Sequence, residues 1–352
     1  MSFTAYFFLT LIHHFKGERS ISGIYHLLKG KKSAQTIQDS VLFNVQPFFQ
    51  SLEVITRQDL NKMCNECEQS NLIQSVGDGH FRLTLSGLAY MNEAGEHFQL
   101  PSGLAYFHHS STAKRFWKRL KLTVQTMSNL IRDEGRFLPV TNDKEPLEWT
   151  KRFLKKAKLD RQELAAQLLN ELQNSLQTRP NIEADIFVLQ LSGYKQTGLT
   201  LMQASELLNI DYYEAAVLMT SCLRAVSQEI NDGKDNYPLL SRFLEKSDSK
   251  GLTASTHKTL TFIKKGLTIQ QIAQYRRLKE STIEDHLVEI AMYMEDFDIN
   301  TFVSREVYHR VKTVLEQQSI KRLKPIRDIA GSDISYFQIR LVMAKESVGK
   351  HD

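Results

Sequence analysis

Between Gly266 and Leu287 the chain reads GLTIQQIAQYRRLKESTIEDHL, a stretch that leaves the backbone little freedom. Apolar residues recur at helical spacing on both sides of Arg276-Arg277-Leu278-Lys279, so two short helices must fold back across a tight turn. Helices that cross so closely need a small residue at the crossing, an apolar residue in the turn and a β-branched residue in the second helix. Ala273, Leu278 and Ile283 meet those needs. Thr268-x-x-Gln271 is a capping box for the first helix, and Ser281-x-x-Glu284 has the same form near the start of the second. Ile283, Leu287, Ile290 and Met294 then make an inward stripe. The pattern is that of a helix-turn-helix, a unit that serves DNA binding and protein docking alike.

The wider sequence supports a mostly α-helical, multi-domain fold. Of 352 residues only 7 are proline and 16 glycine, and amphipathic stretches dominate. That length exceeds one ordinary core, so two to three domains are expected. One segment breaks the helical pattern. A Thr56-x-x-Asp59 capping box opens a helical repeat at Leu60, Met63 and Cys67, and LIQSVGDGHFRLTLSG follows as two short strand-like runs around Gly77-Asp78-Gly79. A helix leading into a small β-hairpin ends a winged helix. With SISGIYHLLKGKKSAQTIQDS upstream, residues 1–105 are expected to form a winged-helix-like domain, with Lys31 and Lys32 in its turn. A basic helical connector is expected over 106–180, a middle helix-turn-helix-like unit over 181–245 and a C-terminal helix-turn-helix domain over 250–350. The middle unit rests on an internal repeat: TGLTLMQASELLNIDYYEAAVLM aligns with KGLTIQQIAQYRRLKESTIEDHL, each copy beginning Gly-Leu-Thr with a Thr-x-x-Gln box. The turn wants a left-handed residue, which suits Asn209 in the middle copy better than Arg277 in the last.

The charge is mildly basic, +5 overall, which permits nucleic-acid binding without demanding it. In the last copy the face that would enter a groove is expected to present Lys279, Glu280, Ser281, Glu284, Asp285 and Val288. Three carboxylates there would repel phosphates, whereas Arg276, Arg277 and Lys279 at the turn would hold them. In the middle copy the same face is Asp211, Tyr212, Tyr213, Ala216, Val217 and Thr220. It is apolar and aromatic, better suited to a protein partner than to DNA, with Tyr212 and Tyr213 as candidate anchors. In the connector, Lys114, Arg115, Lys118, Arg119 and Lys121 surround Phe116 and Trp117, and Lys151, Arg152, Lys155, Lys156 and Lys158 follow Trp149. Two readings stand side by side: cations and aromatics that hold single-stranded or junction DNA, or core aromatics with solvated charges.

Gly266–Leu287 resembles the helix-turn-helix domain at the C-terminus of many RecQ-type DNA helicases, through its Gly-Leu-Thr start, Ile272-Ala273, Arg276, Leu278, Ser281-Thr282-Ile283 and His286-Leu287. LKPIRDIAGSDISYFQIRLVMA, from Leu323 to Ala344, resembles the closing helix pair of that domain. Taken whole, with ISGIYHLLKGKKSAQTIQD near the front, the chain resembles the YpbB-type proteins of Gram-positive bacteria, which are usually encoded beside a RecQ-like helicase. The resemblance implies a nucleic-acid-processing accessory role with DNA and a RecQ-type helicase as partners, in repair or recombination. A sequence-specific transcription regulator and a protein-interaction adaptor without DNA binding are the alternatives.

Other chemistry finds little support. Cys64 and Cys67 in CNEC have zinc-ligand spacing, but no second pair completes four ligands and only His80 is near. The pairs His13-His14 and His108-His109 should diverge on a helix. Glu295, Asp296 and Asp298 read as a solvated helix end. No Gly-x-x-x-x-Gly-Lys-Ser/Thr run or Gly-x-Ser-x-Gly elbow occurs, so neither helicase nor other catalytic activity is expected, nor any cofactor. Three cysteines suit a reducing cytoplasm. FTAYFFLTLI is about half the roughly 20 residues of a membrane span and lacks a basic lead-in, so it is expected to be a buried first helix, with no membrane partner.

Overall fold

The computed structural model describes residues 1–157, 159–244, 252–317 and 321–348. Lys158, the last residue of the second basic run, lies outside the described residues. Helical periodicity dominates: seventeen α-helices and one two-stranded sheet stand among the described residues. In chain order they are α1 (Phe3–Phe15), α2 (Ile21–Leu28), α3 (Ala34–Leu42), α4 (Arg57–Gln69), β1 (Ile73–Ser75), β2 (Phe81–Leu83), α5 (Leu85–His97), α6 (Ser110–Leu130), α7 (Lys144–Lys156), α8 (Arg161–Gln177), α9 (Asn181–Leu189), α10 (Leu201–Leu207), α11 (Tyr212–Asp232), α12 (Ala254–Ile263), α13 (Ile269–Arg276), α14 (Glu280–Tyr293), α15 (Arg305–Gln317), α16 (Leu323–Ala330) and α17 (Tyr336–Val348). Packing gathers them into two compact units. The first comprises Met1–Phe8, Gln50–Asp59 and Ala89–Lys246, the second Leu9–Phe49, Leu60–Leu88 and Ser247–Asp352, so residues 1–105 contribute to both.

In the first unit α11 supplies the central stripe. Ala215, Met219, Cys222, Val226 and Ile230 follow helical spacing and join Phe116, Trp117 and Leu120 of α6, Phe153 of α7, Leu164 and Leu168 of α8 and Phe187 of α9 in one apolar cluster. The segment expected as a connector thus shares its core with the middle helix-turn-helix. Two buried polar side chains in this core meet backbone partners. The Glu171 carboxylate accepts from the N–H groups of Leu239 and Leu240 at 3.0 and 2.8 Å. Arg224, fully buried, donates to the Leu104 carbonyl at 3.0 Å. Gly103 comes so close to α11 that a Cβ there would stand 2.2 Å from the Ser221 carbonyl oxygen, so no larger residue fits without displacing backbone.

The second unit has a small core and a large one. Ile272, Ala273 and Ile283 close the first, with Leu278 packed against it, as the spacing predicts. The second joins Leu287, Val288, Ile290, Ala291 and Met292 of α14 to Val311 of α15, Ile326 of α16 and Leu341 and Val342 of α17, and takes in Ile37 and Val41 of α3. The hairpin pairs Ile73 with Leu83, Gln74 with Arg82 and Ser75 with Phe81, antiparallel, and reverses through positive φ at Gly77, Asp78 and Gly79. The Arg82 Nε donates to the Lys16 carbonyl at 2.9 Å, which pins the hairpin beside the end of α1. Cys64 and Cys67 are both buried, and burial pushes their thiols up to about 12 and 11. His108 and His109 do not diverge. They end a 3-10 turn rather than an α-helix, their rings lie 4.4 Å apart, and both reach the Gln228 side-chain oxygen.

Candidate nucleic-acid interface

The C-terminal helix-turn-helix is built as its sequence requires. Thr268 accepts from the Gln271 N–H while the Gln271 side chain accepts from the Thr268 N–H, so the capping box starts α13. Arg277 ends it at φ +54°, in the left-handed region, and lets Leu278 turn back into the core. Thr200 and Gln203 repeat the box at α10, and Asn209 repeats the left-handed turn at φ +53°. The second helices differ. Asp211 caps α11 by accepting from the Tyr213 and Glu214 N–H groups, whereas the residue before α14 is Lys279, which offers no cap. The expected Ser281–Glu284 box does not form. Leu278 must reach the core, so the helix begins at Glu280 and Ser281 already lies within its first turn.

This geometry sorts the turn cations. Arg276 is held by the fold: its guanidinium donates to the Ser255 carbonyl at 2.9 Å, to the Ser255 hydroxyl at 3.0 Å and to Thr259, and lies 3.4 Å from His286 Nδ1. Burial, with Arg276 alongside, holds the His286 pKa down at about 4. Arg277, Lys279 and Ser281 are exposed and engage no described side chain. The acidic face is quieter than the sequence suggests. Asp285 is ion-paired with Arg340 of α17, and Glu284 is half-buried, with burial pushing its pKa up. Val288, expected on the groove face, is fully buried, because α3 and α17 pack on α14 there. Only the first turn of α14, with the elbow before it, is open to a ligand. Lys31 and Lys32 are exposed just before α3 in this same unit. Lys31 lies 3.5 Å from His26, and the charge of Lys32 reaches Glu289 of α14, whose pKa burial raises.

In the first unit the middle copy keeps the two-helix geometry with a different outer face. Ala216 and Val217, expected there, are buried. Tyr212 and Tyr213 are half-buried, with ring centroids 5.6 Å apart. Burial and a hydrogen bond to Asp59 push the Tyr213 phenol up to about 12. Asp211 also accepts from the Thr4 hydroxyl at 2.5 Å.

The two basic runs of the connector fare differently. On α6, Phe116 is fully buried and Trp117 nearly so, and the flanking charges meet partners. Lys114 pairs with Glu53 at 2.6 Å and Lys118 with Asp143 at 2.5 Å. Arg119 is buried, donates from Nε to Glu145 at 2.9 Å and from Nη1 to the Phe243 carbonyl at 2.9 Å, and stacks over Trp149. Arg115 is half-buried, and Lys121 lies over the Trp117 ring at 5.2 Å. On α7, Lys151, Arg152, Lys155 and Lys156 are all exposed and find no partner among the described residues. Tyr275 escapes sequence reasoning altogether. An aromatic residue on an amphipathic helix is expected inside, yet this one is 73% exposed, its ring tilted against that of Phe262 with centroids 4.9 Å apart, and it is adjacent to the turn cations.

A helix-turn-helix domain is therefore the recognisable module of this protein, and residues 255–343 match the family described as "Helix-turn-helix domain". The likeness to one relative runs much further. The chain is 32% identical over 332 residues, 94% of its own length and 94% of the relative's, to Protein YpbB of Bacillus subtilis (strain 168), and it belongs to the YpbB family. No solved structure matches it. Among the described residues no helix is long and apolar enough to cross a membrane, and no cluster of three or more metal-ligating side chains occurs.

Proposed function

We propose that this protein binds DNA through the phosphate backbone at its C-terminal helix-turn-helix, reads little base sequence, and acts without catalysis of its own as an accessory to a RecQ-type helicase in the cytoplasm. One observation carries the reading. Arg277 and Lys279 are exposed at the elbow, directly before an uncapped and open first turn of α14, while the rest of that helix is covered by the protein itself. Uncapped N–H groups and two cations at a helix start favour a phosphate. A helix whose fourth residue beyond Glu284 is buried cannot lie deep in a major groove, which is what base readout needs. This favours recognition of DNA structure over an operator sequence and counts against the regulator alternative. Lys31 and Lys32 in the same unit, and the exposed cations of α7, would add to the electrostatic footprint. The order of α2, α3, α4 and hairpin supports reading the N-terminal segment as winged-helix-like. The helicase partnership rests on the resemblance of residues 266–344 to domains appended to RecQ-type helicases.

The test is a salt titration of binding to duplex, forked and single-stranded DNA, with Arg277→Glu/Lys279→Glu beside the unaltered protein. The double variant should bind every sequence more weakly to a similar degree, and the slope of log K against log salt should fall by about two, one for each phosphate no longer neutralised. Unchanged affinity and slope would remove the site. Preference for a single duplex sequence would restore the regulator, and absence of binding to any DNA would leave the adaptor.

A further inference from the structure

The stretch 253–279, which holds α12, α13 and the elbow, carries six Lys or Arg residues and no Asp or Glu. Arg276 is taken up by the fold, but Lys258, Lys264, Lys265, Arg277 and Lys279 are exposed and meet no acid among the described residues. An aromatic pair sits among these charges. Phe262 is half-buried and packs against the Ile272, Ala273 and Ile283 core. The Tyr275 ring lies against it at 56°, yet Tyr275 joins neither core cluster of this unit and its hydroxyl engages no described residue. Phe262 therefore braces a ring that stays mostly in solvent. Lys258 precedes Phe262 by four residues on the same face of α12, about 6 Å along the axis. Lys265 follows it, with Nζ 5.9 Å from the Phe262 centroid.

We infer that Tyr275, backed by Phe262 and flanked by Lys258 and Lys265, stacks an unpaired base of single-stranded DNA. The inference rests on the DNA-binding reading above and names the DNA structure that the module prefers. A base inside a duplex has both faces covered by its neighbours, so an exposed ring finds a partner only where a base is free. Stacking accepts any base, because every base has a π-face, while cations on either side hold the phosphates. This agrees with a second helix too covered to read a groove. The composition decides against a protein partner at this face. Interface cores are depleted of lysine, and four of the six cations here are lysines.

The experiment is fluorescence anisotropy of the full chain with oligothymidine, an abasic strand of equal length and a blunt duplex, each variant being checked by a thermal melt. Tyr275→Ala should weaken oligothymidine binding about fivefold or more and leave the abasic strand and the duplex unchanged, while Tyr275→Phe binds as the unaltered protein does. Lys258→Gln/Lys265→Gln should weaken oligothymidine and the abasic strand alike, and lower the slope of log K against log salt on oligothymidine by about 1.4. No loss in a folded Tyr275→Ala, or the same loss on all three DNAs, overturns the inference. A fall in melting temperature without a loss confined to oligothymidine assigns the ring to the fold and overturns it too. In either case Arg277→Glu/Lys279→Glu still tests the elbow by itself, through its effect on the duplex. Absence of binding to all three DNAs overturns both readings together.

Discussion

Neighbouring residues of one sequence run take opposite roles here. Arg276 and Arg277 are adjacent and identical in charge, yet one joins α12, α13 and α14 while the other is open at φ +54°. Charge reversal at each should separate them. Arg276→Glu should lower the melting temperature by removing the hydrogen bonds to Ser255 and Thr259, and Arg277→Glu should leave the melt intact while weakening DNA binding. His286 provides a second check. It is buried, its Nδ1 sits 2.8 Å from the Thr259 hydroxyl, and its pKa is held down at about 4 by burial and by Arg276. A histidine that stays neutral when folded but takes a proton near pH 6.5 when unfolded stabilises the fold above that pH. That contribution is lost as pH falls from about 6.5 towards 4, by at most ~3 kcal/mol. In denaturant melts between pH 7.5 and 4.5, the unaltered protein should therefore lose stability more steeply than His286→Gln. An identical slope in both would reject this account.

Individual helices show why charge density alone misleads. Both α6 and α7 carry basic runs next to tryptophan, but α6 places its aromatics in the core and meets Glu53, Asp143 and Glu145. On α7 the four cations Lys151, Arg152, Lys155 and Lys156 recur on the solvent side with no acid opposite them among the described residues. Exposed, unpaired cations can release counterions on meeting DNA, whereas paired ones must first break their own ion pairs. Replacing the four α7 residues by glutamine should weaken binding to forked or single-stranded DNA several-fold more than Lys114→Gln/Lys118→Gln does, measured by fluorescence anisotropy at two salt concentrations. Equal effects would mean that the internal pairs of α6 do not compete with DNA.

For the molecule as a whole, we expect association with a partner to turn on the middle unit. The Tyr212–Tyr213 face has the position of a reading helix and the chemistry of an interface, but Tyr213 already serves Asp59. We expect Tyr213→Phe to lower the melting temperature by one to several degrees, the ordinary size for removal of one hydrogen bond of about 1 kcal/mol. Tyr212→Ala should weaken co-purification of a RecQ-type helicase without a comparable change in stability. A large fall in melting temperature for Tyr212→Ala would assign that ring to the core as well. Normal stability with normal co-purification would move the docking surface elsewhere.

What the sequence alone determined is short in range. The capping boxes at Thr200 and Thr268, the left-handed turns at Asn209 and Arg277, the Ala273–Leu278–Ile283 core and the Gly-Asp-Gly hairpin all depend on residues within a few positions of one another, where backbone hydrogen bonding and the 3.6-residue period act. The tertiary structure decided which faces stay open. Val288 is buried by helices that include α3, from near the opposite end of the chain, and Asp285 is neutralised by Arg340, 55 residues further on. Arg119 disappears into a pocket closed by Glu145 and the Phe243 carbonyl. A side chain's charge is written in its own codon, but its exposure and its counter-charge come from segments brought in by packing. No spacing along the chain encodes them, and for that reason the candidate site shrank from a whole groove face to an elbow and one turn of helix.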